Sequence, residues 1–437
     1  MVSNPLDIDA RYIWHPYTQH ATEHDPILLA GAKGTNLITV DGREILDLVS
    51  SWWTCIHGHA HPEINAALAR QADAMEHVMF GGFTHAPAIR LAERLSEILP
   101  EDLSRVFFSD NGSTSVEVAL KMAFQYWRNR GDTRRNRFLA FEGAYHGDTF
   151  GAMAVGRGCG FFNLFQDLMC PVSPLPYVDT WENDETVEAR EAEALRRIDH
   201  ILETEGDHAA ALIVEPLMQG ASGMRVCRPE FLRQVVERVQ AAGLLVIFDE
   251  VATGFGRTGT MFAFEQVGVV PDLICLSKGL TAGYMPMAVT VARETLFQAF
   301  LSEGFEKALP HGHTFTANPL ACAVSLRSLE LFGEEGTLGN VARIAKRHAD
   351  VLGQLMEHPR VTRPRRLGTL LAFDLLGGGE GYKSDESLVL RDWYLANGLN
   401  IRPLGPCVYL MPPYCITEDE LDRAYGGMMQ GLDSLSH

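Results

Sequence analysis

Six short apolar runs, separated by longer amphipathic stretches, limit the folds that this chain can adopt. The strands of a buried parallel sheet have continuous apolar sequences, because both of their faces are covered. Alternation of such strands with helical segments is typical of a parallel sheet covered on both faces. A helix is predicted over residues 229–242, because Pro229 opens it and Gly243 closes it. The sequence therefore predicts an α/β fold with a mostly parallel central sheet and helices on both faces. The predicted strands are residues 105–109, 138–142, 210–215, 244–249, 273–277 and 288–292.

The pattern changes toward the end of the chain, whose 437 residues are enough for more than one domain. Residues 340–355 predict a long helix, and short strands follow around 368–375 and 399–403. We therefore predict a large domain over residues 61–337 and a smaller α+β domain over residues 338–437.

The first part of the chain, residues 1–60, is predicted to pack with the smaller domain. It contains two strand-like segments, 37–40 and 45–48, joined at Asp41-Gly42, which is a hairpin signal. The glycine-rich stretch 377–381 is predicted to be a surface loop.

The composition excludes several classes of protein. The chain has 37 basic and 56 acidic residues, and the formal charge of -19 argues against non-specific binding to nucleic acid. Its 8 cysteines show no CxxC pair, which indicates free thiols in a reducing compartment. No secretory signal is visible in residues 1–20, and no apolar segment reaches the ~18 residues that cross a bilayer. We expect a cytoplasmic protein.

Two chemically matched side chains lie at the ends of predicted strands. Asp249 ends one apolar run, and Lys278 follows another. Because α/β sheets bind ligands at the carboxyl ends of their strands, the two groups suit a pyridoxal phosphate enzyme. The lysine would form a Schiff base with the aldehyde, and the acid would keep the pyridine nitrogen protonated. Taken alone, a lysine in this position is more often a surface lysine that follows a strand, and the rest of the chain must supply the evidence for a cofactor.

Two turns after predicted strands offer cofactor contacts. Residues 106–115 read as a strand, a polar turn and a helix start, and such a helix N-terminus binds phosphate, although Ser and Asn are also ordinary N-caps. Further along, Tyr145 could stack on a flat cofactor while His146 and Asp148 orient polar groups. The alternative for this second turn is a partly buried tyrosine without a ligand.

Histidines cluster at His57, His59 and His61, and again at His311 and His313. The spacing does not match a zinc framework, and neither HExxH nor CxxC accompanies it, so no metal is predicted. Of the adjacent Trp52 and Trp53, which could not both face inward on a strand, one is expected to line a pocket.

Together these residues resemble the class III aminotransferases, of fold type I among pyridoxal phosphate enzymes. The motifs that carry the resemblance are residues 245–259 and Ser277-Lys278-Gly279. The resemblance implies pyridoxal 5'-phosphate as cofactor, Lys278 as its Schiff-base lysine, and a homodimer with active sites at the interface.

The resemblance also implies roles for individual residues. Catalysis would rest on Lys278, Asp249 and Tyr145, with Tyr145 covering the cofactor ring and Asp249 pairing with its nitrogen. Cofactor binding would further involve four residues, of which Thr314 reaches across from the partner subunit: Gly112, Ser113, His313 and Thr314. Besides Tyr145 and Lys278, the substrates would contact Tyr17, Trp52, Gly312 and Arg402.

Finer motifs resemble one branch of this class and indicate a reaction. They are residues 14–18, 51–53, 145–151, 314–322, 401–403 and 409–414. The reaction expected for that branch moves an amino group from S-adenosylmethionine to 8-amino-7-oxononanoate, giving 7,8-diaminononanoate for biotin, in two half-reactions that alternate pyridoxal and pyridoxamine phosphate. The branch usually has proline where His313 stands, and many sister transaminases have glutamine where Ala252 stands.

Four alternatives remain open from the sequence. An ω-amino acid or diamine:pyruvate transaminase would share every cofactor residue, and an aminomutase would return the amine to the same carbon skeleton. A metal-dependent hydrolase could use the histidine clusters, and a binding protein could have kept the fold without the chemistry.

Overall fold

The computed structural model describes residues 4–23, 25–156, 162–377 and 384–435. Within these ranges the chain forms sixteen strands and fourteen α-helices. The strands are β1 Leu29–Lys33, β2 Asn36–Thr39, β3 Glu44–Asp47, β4 Leu103–Ser109, β5 Arg137–Phe141, β6 Val172–Leu175, β7 Ala209–Val214, β8 Met218–Gln219, β9 Arg225–Val226, β10 Leu245–Asp249, β11 Leu273–Leu276, β12 Ala288–Arg293, β13 Val361–Leu367, β14 Leu370–Leu375, β15 Leu399–Asn400 and β16 Cys407–Leu410.

The helices lie mainly between the strands of the central sheet and after them. They are α1 Pro5–Tyr12, α2 Ser50–Trp53, α3 Pro62–Ala74, α4 Ala86–Ile98, α5 Gly112–Asn129, α6 Phe150–Val155, α7 Val187–Glu205, α8 Pro229–Ala241, α9 Phe264–Val267, α10 Glu294–Gln298, α11 Pro319–Glu334, α12 Thr337–Glu357, α13 Asp385–Ala396 and α14 Glu418–Ser434. None of the helices in the described ranges is both long enough and apolar enough to cross a membrane.

The central sheet has seven strands in the order β4-β12-β11-β10-β7-β5-β6. From β11 to β6 all neighbours are parallel, and β12 alone pairs antiparallel with both its neighbours. This confirms the predicted α/β fold with a mostly parallel sheet. All six predicted strands are present, as is the predicted helix α8.

Two features of this sheet did not follow from the apolar pattern. The reversal of β12 follows from its short connection, residues 277–287, because a parallel crossover needs about a dozen residues or more. Strand β6 was not predicted because it is short and contains Pro174; it lies at the sheet edge, where proline is tolerated.

The strands bury both faces, because successive side chains point to opposite sides of the sheet. Phe141, Val246 and Phe248 belong to one core cluster, together with the apolar face of α8. Ala140 and Ile247 belong to a second cluster, together with the buried face of α5. Helices on both faces therefore leave the strand ends as the natural place for a ligand.

Two smaller sheets accompany the central one. The hairpin predicted near Asp41-Gly42 is formed by β2 and β3, and β15 from the end of the chain pairs parallel with β3. Strands β13, β14 and β16 form a three-stranded antiparallel sheet, called here the C-terminal sheet. The division at residues 60 and 337 stays a prediction, and most of the predicted loop 377–381 lies outside the described residues.

Candidate active site

A cavity of about 490 Å³ opens at the carboxyl edge of the central sheet. Four parallel strands end there, because β5, β7, β10 and β11 pair in register along that edge. The cavity is lined by most of the predicted cofactor residues and by several that were not predicted: Trp53, Asp110, Asn111, Gly112, Ser113, Tyr145, His146, Gly147, Glu215, Asp249, Ala252, Lys278 and Tyr284 among them.

Lys278 stands at the wall of this cavity, in a short 3₁₀ turn that follows β11. Its backbone is left-handed, with φ of 43°. The Nζ atom lies 4.5 Å from the centre of the Trp53 ring. Burial lowers the pKa of Lys278 to about 8, although the nearby Asp249 and Glu215 carboxylates act in the opposite direction. A substantial fraction of this amine is therefore neutral near physiological pH, as nucleophilic attack requires.

Asp249 is buried at the end of β10 and forms a pair with His146. Nδ1 of His146 lies 2.7 Å from Oδ2 of Asp249, while Oδ1 accepts from the N–H of Val251 at 3.1 Å. The other ring nitrogen of His146, Nε2, is buried and has no hydrogen-bond partner among the described residues. The sequence predicted His146 only as a residue that orients polar groups of the cofactor. In the structure it is the partner of Asp249.

Glu215 is a site residue that the sequence reasoning missed. It follows β7, lines the cavity, and accepts hydrogen bonds from the N–H groups of Tyr145 at 3.0 Å and Gly220 at 3.1 Å. Burial raises the pKa of its carboxyl to about 7, against the opposing charge of His146. The available signal was the same as for Asp249, an acid directly after a fully apolar strand.

The predicted phosphate turn lies on the cavity wall as the N-terminus of α5. Asn111 caps this helix, and its side-chain oxygen accepts from the N–H of Thr114 at 3.0 Å. The first N–H groups of a helix have no acceptor within the helix, and Gly112 and Ser113, which carry such groups here, line the cavity. A methyl group on Gly112 would lie only 2.8 Å from Val251, so the wall admits no larger residue there without a shift.

Tyr145 lines the cavity and connects it to Tyr17. Both phenol groups donate to Oδ1 of Asp148, Tyr145 at 3.1 Å and Tyr17 at 2.7 Å. Burial raises the pKa of Tyr145, so its hydroxyl stays protonated and acts as a donor. The structure therefore brings Tyr17 to the rim beside Tyr145, although 131 positions separate Tyr17 from Asp148.

The adjacent tryptophans take opposite positions because the backbone of α2, Ser50–Trp53, is a left-handed turn. Four successive residues have positive φ, 47°, 45°, 73° and 72° from Ser50 to Trp53. A left-handed residue with a side chain costs roughly 1–2 kcal/mol, so such a turn persists only where its surroundings hold it. Trp53 is buried and lines the cavity, whereas Trp52 is 45% exposed.

Trp52 belongs to a second group of predicted substrate residues outside the cavity wall. Its ring lies 6.2 Å from that of Tyr17 in an edge-on arrangement. The guanidinium of Arg402 lies 5.4 Å from the ring centre of Trp52. The structure thus assembles Tyr17, Trp52 and Arg402 into one surface, called here the aromatic rim.

Three predicted residues lie outside the lining of this cavity. Gly312, His313 and Thr314 are absent from its lining, and Gly312 and Thr314 are exposed. The neighbouring His311 instead contacts Lys121, whose Nζ lies 3.1 Å from Nδ1. Nε2 of His313 is buried without a partner among the described residues.

The first histidine cluster is used in hydrogen bonds and ion pairs. Nε2 of His57 contacts the Ser328 carbonyl, and Nε2 of His59 lies 2.9 Å from the buried Asp47. Across the described ranges, no group of three or more His, Cys, Asp and Glu side chains is placed to hold a metal ion.

The donors and acceptors on the cavity wall fit a phosphorylated pyridine aldehyde. A helix N-terminus suits the phosphate, the Asp249–His146 pair suits a basic ring nitrogen, and the amine of Lys278 suits an aldehyde. These three groups line one cavity, so a single molecule can meet all of them.

Comparison with known proteins adds family relationships to this geometry. A family model described as aminotransferase class-III matches residues 17–432. The chain is 51% identical to a curated relative from Synechococcus elongatus, over 97% of this chain and 99% of the relative. A relative from Geobacter sulfurreducens is 42% identical, over 98% and 97% of the two chains. Both are named adenosylmethionine-8-amino-7-oxononanoate aminotransferase.

Solved structures share the fold over nearly the whole chain. A protein of the same name from Methanocaldococcus jannaschii is 33% identical and superposes with a TM-score of 0.91, covering 98% of each chain. An (S)-enantioselective omega-transaminase from Thermomicrobium roseum is 28% identical with a TM-score of 0.92, again covering 98% of each. Backbone similarity therefore does not separate these two kinds of enzyme.

The lowered pKa of Lys278 can be tested by trace acetylation of the cofactor-free, full-length protein. Only the neutral amine reacts, so labelling of Lys278 should rise through about pH 8 and level off above it. Mass spectrometry of the digested protein measures the labelling, with the exposed Lys346 as internal reference. A curve that still rises at about pH 10, the ordinary range of lysine, would contradict the assignment.

Proposed function

We propose that this chain, which belongs to the class III aminotransferases, transfers an amino group from S-adenosylmethionine to 8-amino-7-oxononanoate. The product would be 7,8-diaminononanoate, on the route to biotin. The observation that carries this substrate pair is the 51% identity to a relative of that name over almost the full length of both chains. Members of this class depend on pyridoxal phosphate, and this chain is a pyridoxal phosphate-dependent aminotransferase.

The cavity residues divide the task of holding the cofactor. The N–H groups of Gly112 and Ser113, with the Ser113 hydroxyl, would bind the phosphate. Tyr145 would cover the ring, and Lys278 would bind the aldehyde carbon covalently. When bound, pyridoxal phosphate supplies an aldehyde that joins primary amines and a ring that withdraws electrons from the adjacent carbon.

Lys278 also moves the proton in each half-reaction. When not bonded to the cofactor, Nζ would be a base beside the cavity, and with a pKa of about 8 a part of it would be neutral at about pH 7. Nζ would take a proton from the carbon of the donor and return one to the carbon of the acceptor. A lysine with the ordinary pKa would be almost fully protonated and a poor base at about pH 7.

The Asp249–His146 pair would hold a proton on the ring nitrogen. Asp249 is only 4% exposed, so its negative charge acts on the ring with little screening by water. His146 fixes the orientation of that carboxylate through the 2.7 Å contact. A protonated ring nitrogen accepts the negative charge that develops when the substrate carbon loses its proton.

The aromatic rim would receive the two substrates in turn. The keto acceptor has a carboxylate at one end and a long aliphatic chain, which need an anion anchor and an apolar wall. Arg402 would bind the carboxylate, and Tyr17 with Trp52 would form the wall. The arrangement of Arg402 against the Trp52 ring supports this assignment.

We further propose a cytoplasmic homodimer in which Gly312, His313 and Thr314 complete the site of the other subunit. Thr314 of the partner subunit would add its hydroxyl to the phosphate contacts. The exposure of Gly312 and Thr314, and their absence from the lining of the cavity in their own subunit, support this arrangement. Closed twofold symmetry would then give two equivalent sites per dimer.

An ω-amino acid or diamine:pyruvate transaminase is the second candidate function. The observation that favours it is the TM-score of 0.92 to an omega-transaminase over 98% of both chains. That relative is 28% identical, compared with the 51% of the Synechococcus elongatus protein, so the first proposal has the stronger support.

The amino donor decides between the two functions. S-adenosylmethionine mixed with the purified enzyme should bleach the visible absorption of the bound cofactor, and 8-amino-7-oxononanoate should then restore it with formation of 7,8-diaminononanoate. Mass spectrometry detects that product, and the Lys278→Ala variant is the inactive control. Bleaching by diamines with recovery by pyruvate, and none with S-adenosylmethionine, would establish the second function instead.

Replacing Asp249 by alanine should reduce kcat by roughly a hundredfold or more, because the ring nitrogen loses its charged partner. The phosphate and lysine contacts remain, so the cofactor should be retained and its absorbance still visible. Asp199→Ala is the matched control, since Asp199 is an exposed acid that pairs with Arg238. A wild-type kcat in Asp249→Ala would remove this residue from the mechanism.

The shared active site can be tested by pairing two defective subunits. Lys278→Ala removes the reactive amine, and Thr314→Asp repels the phosphate. A doubly tagged hybrid of the two variants should have about half the activity of the wild-type dimer, because one site contains neither change. If Thr314 served its own subunit, both sites of the hybrid would be defective and it would be inactive.

A further inference from the structure

The left-handed turn at Ser50–Trp53 is the longest run of positive φ values among the described residues. Four consecutive positive φ values are unfavourable for residues with side chains. Strain of this kind requires bonds that hold it in place. The turn therefore identifies a side chain whose position matters, and that side chain is Trp53, because Trp52 points outward.

Several bonds from distant parts of the chain hold Trp53. Its Nε1 donates to the hydroxyl of Tyr409 in β16 at 3.0 Å, and its carbonyl accepts from Nη2 of Arg257 at 3.2 Å. Ser50 donates from Oγ to the Met411 carbonyl at 2.8 Å. Gly220 closes the space beside the indole, since a methyl group there would lie 3.2 Å from the ring.

The indole held in this way faces Lys278, whose Nζ lies 4.5 Å from the ring centre. We propose that Trp53 is a positioning residue for Lys278, and that Tyr409 of the C-terminal sheet fixes the indole for this task. The proposal rests on the role of Lys278 proposed above. It assigns a function to the inner of the two tryptophans, beyond the substrate contacts expected of the outer one.

A residue that positions Lys278 is needed because the lysine would alternate between a state bonded to the cofactor and a state with a free amine. Within each half-reaction its amine would be released, and it would become charged when it takes the proton from the substrate carbon, so the charged group must stay near that carbon. The face of an indole attracts an ammonium group, most strongly when water is excluded. Trp53 would thereby hold the released ammonium without a carboxylate contact that would retain its proton.

This role has a measurable consequence that simple packing lacks. An indole face stabilises the charged form of the amine, so it raises the pKa of Lys278 against the effect of burial. The other groups that act on this lysine are Asp249 from β10, Glu215 after β7, and Arg257. His146 also lines the cavity. All four stay unchanged when the indole or its anchor is altered.

The experiment repeats the acetylation titration of Lys278 on cofactor-free, full-length variants. Trp53→Phe replaces the indole by a ring that attracts a cation less strongly. Its midpoint should fall by about half a pH unit, which means about three times more neutral amine at about pH 7. Tyr409→Phe removes only the anchoring hydroxyl, and its midpoint should fall by a smaller amount in the same direction.

Tyr425→Phe is the matched control. Its hydroxyl also makes a buried hydrogen bond, to Nδ1 of His348 at 2.8 Å, but it does not line the cavity. The control should keep the wild-type midpoint. A midpoint that is unchanged or raised in both Trp53→Phe and Tyr409→Phe would overturn the proposal, as would an equal shift in Tyr425→Phe.

A wrong assignment of Trp53 can be distinguished from a wrong assignment of Lys278. If Lys278 is not the cofactor lysine, the Lys278→Ala variant will retain the visible absorption of the bound cofactor, whatever the titrations show. If that absorption is lost and the midpoints do not move, only the role of Trp53 is excluded.

Discussion

The parallel pairing of β5, β7, β10 and β11 is the constraint on which the site depends. Because these strands share one direction and one register, their carboxyl ends meet at a single edge. Each end contributes a reactive side chain: Tyr145 with His146, Glu215, Asp249 and Lys278. A one-residue slip of any strand would turn its side chains to the opposite face of the sheet, and these reactive groups would no longer line one cavity.

Burial of this edge then sets the chemistry of its charged groups. The same exclusion of water lowers the pKa of Lys278 to about 8 and raises that of Glu215 to about 7. The two carboxylates have partners, since Asp249 pairs with His146 and Glu215 accepts from two backbone N–H groups. The site thus combines groups that can exchange protons near neutral pH with one carboxylate that keeps a fixed partner.

The C-terminal sheet contributes to the site from outside the large sheet. Tyr409 and Met411 bind the left-handed turn that carries Trp53, and Arg402 from the same region lies against Trp52. The cavity and the aromatic rim are therefore joined through two adjacent tryptophans, Trp53 and Trp52. Movement of one part against the other would change the surroundings of Lys278 directly.

The sequence alone determined six of the seven strands of the central sheet, helix α8, and the placement of Asp249 and Lys278 at strand ends. These features depend on local apolar patterns and helix caps, which neighbouring residues control. The family followed from motifs, and its matches extend over residues 17–432.

Only the tertiary structure decided the rest, because it depends on residues far apart in the chain. Pairing of His146 with Asp249 joins positions that are 103 residues apart, and the contact of Trp53 with Tyr409 joins positions 356 apart. The choice of Trp53 as the inner indole likewise depends on distant contacts, since Tyr409 and Met411 hold the left-handed turn that carries it. Short-range pattern carries no information on these contacts, since each is fixed by the meeting of separate elements.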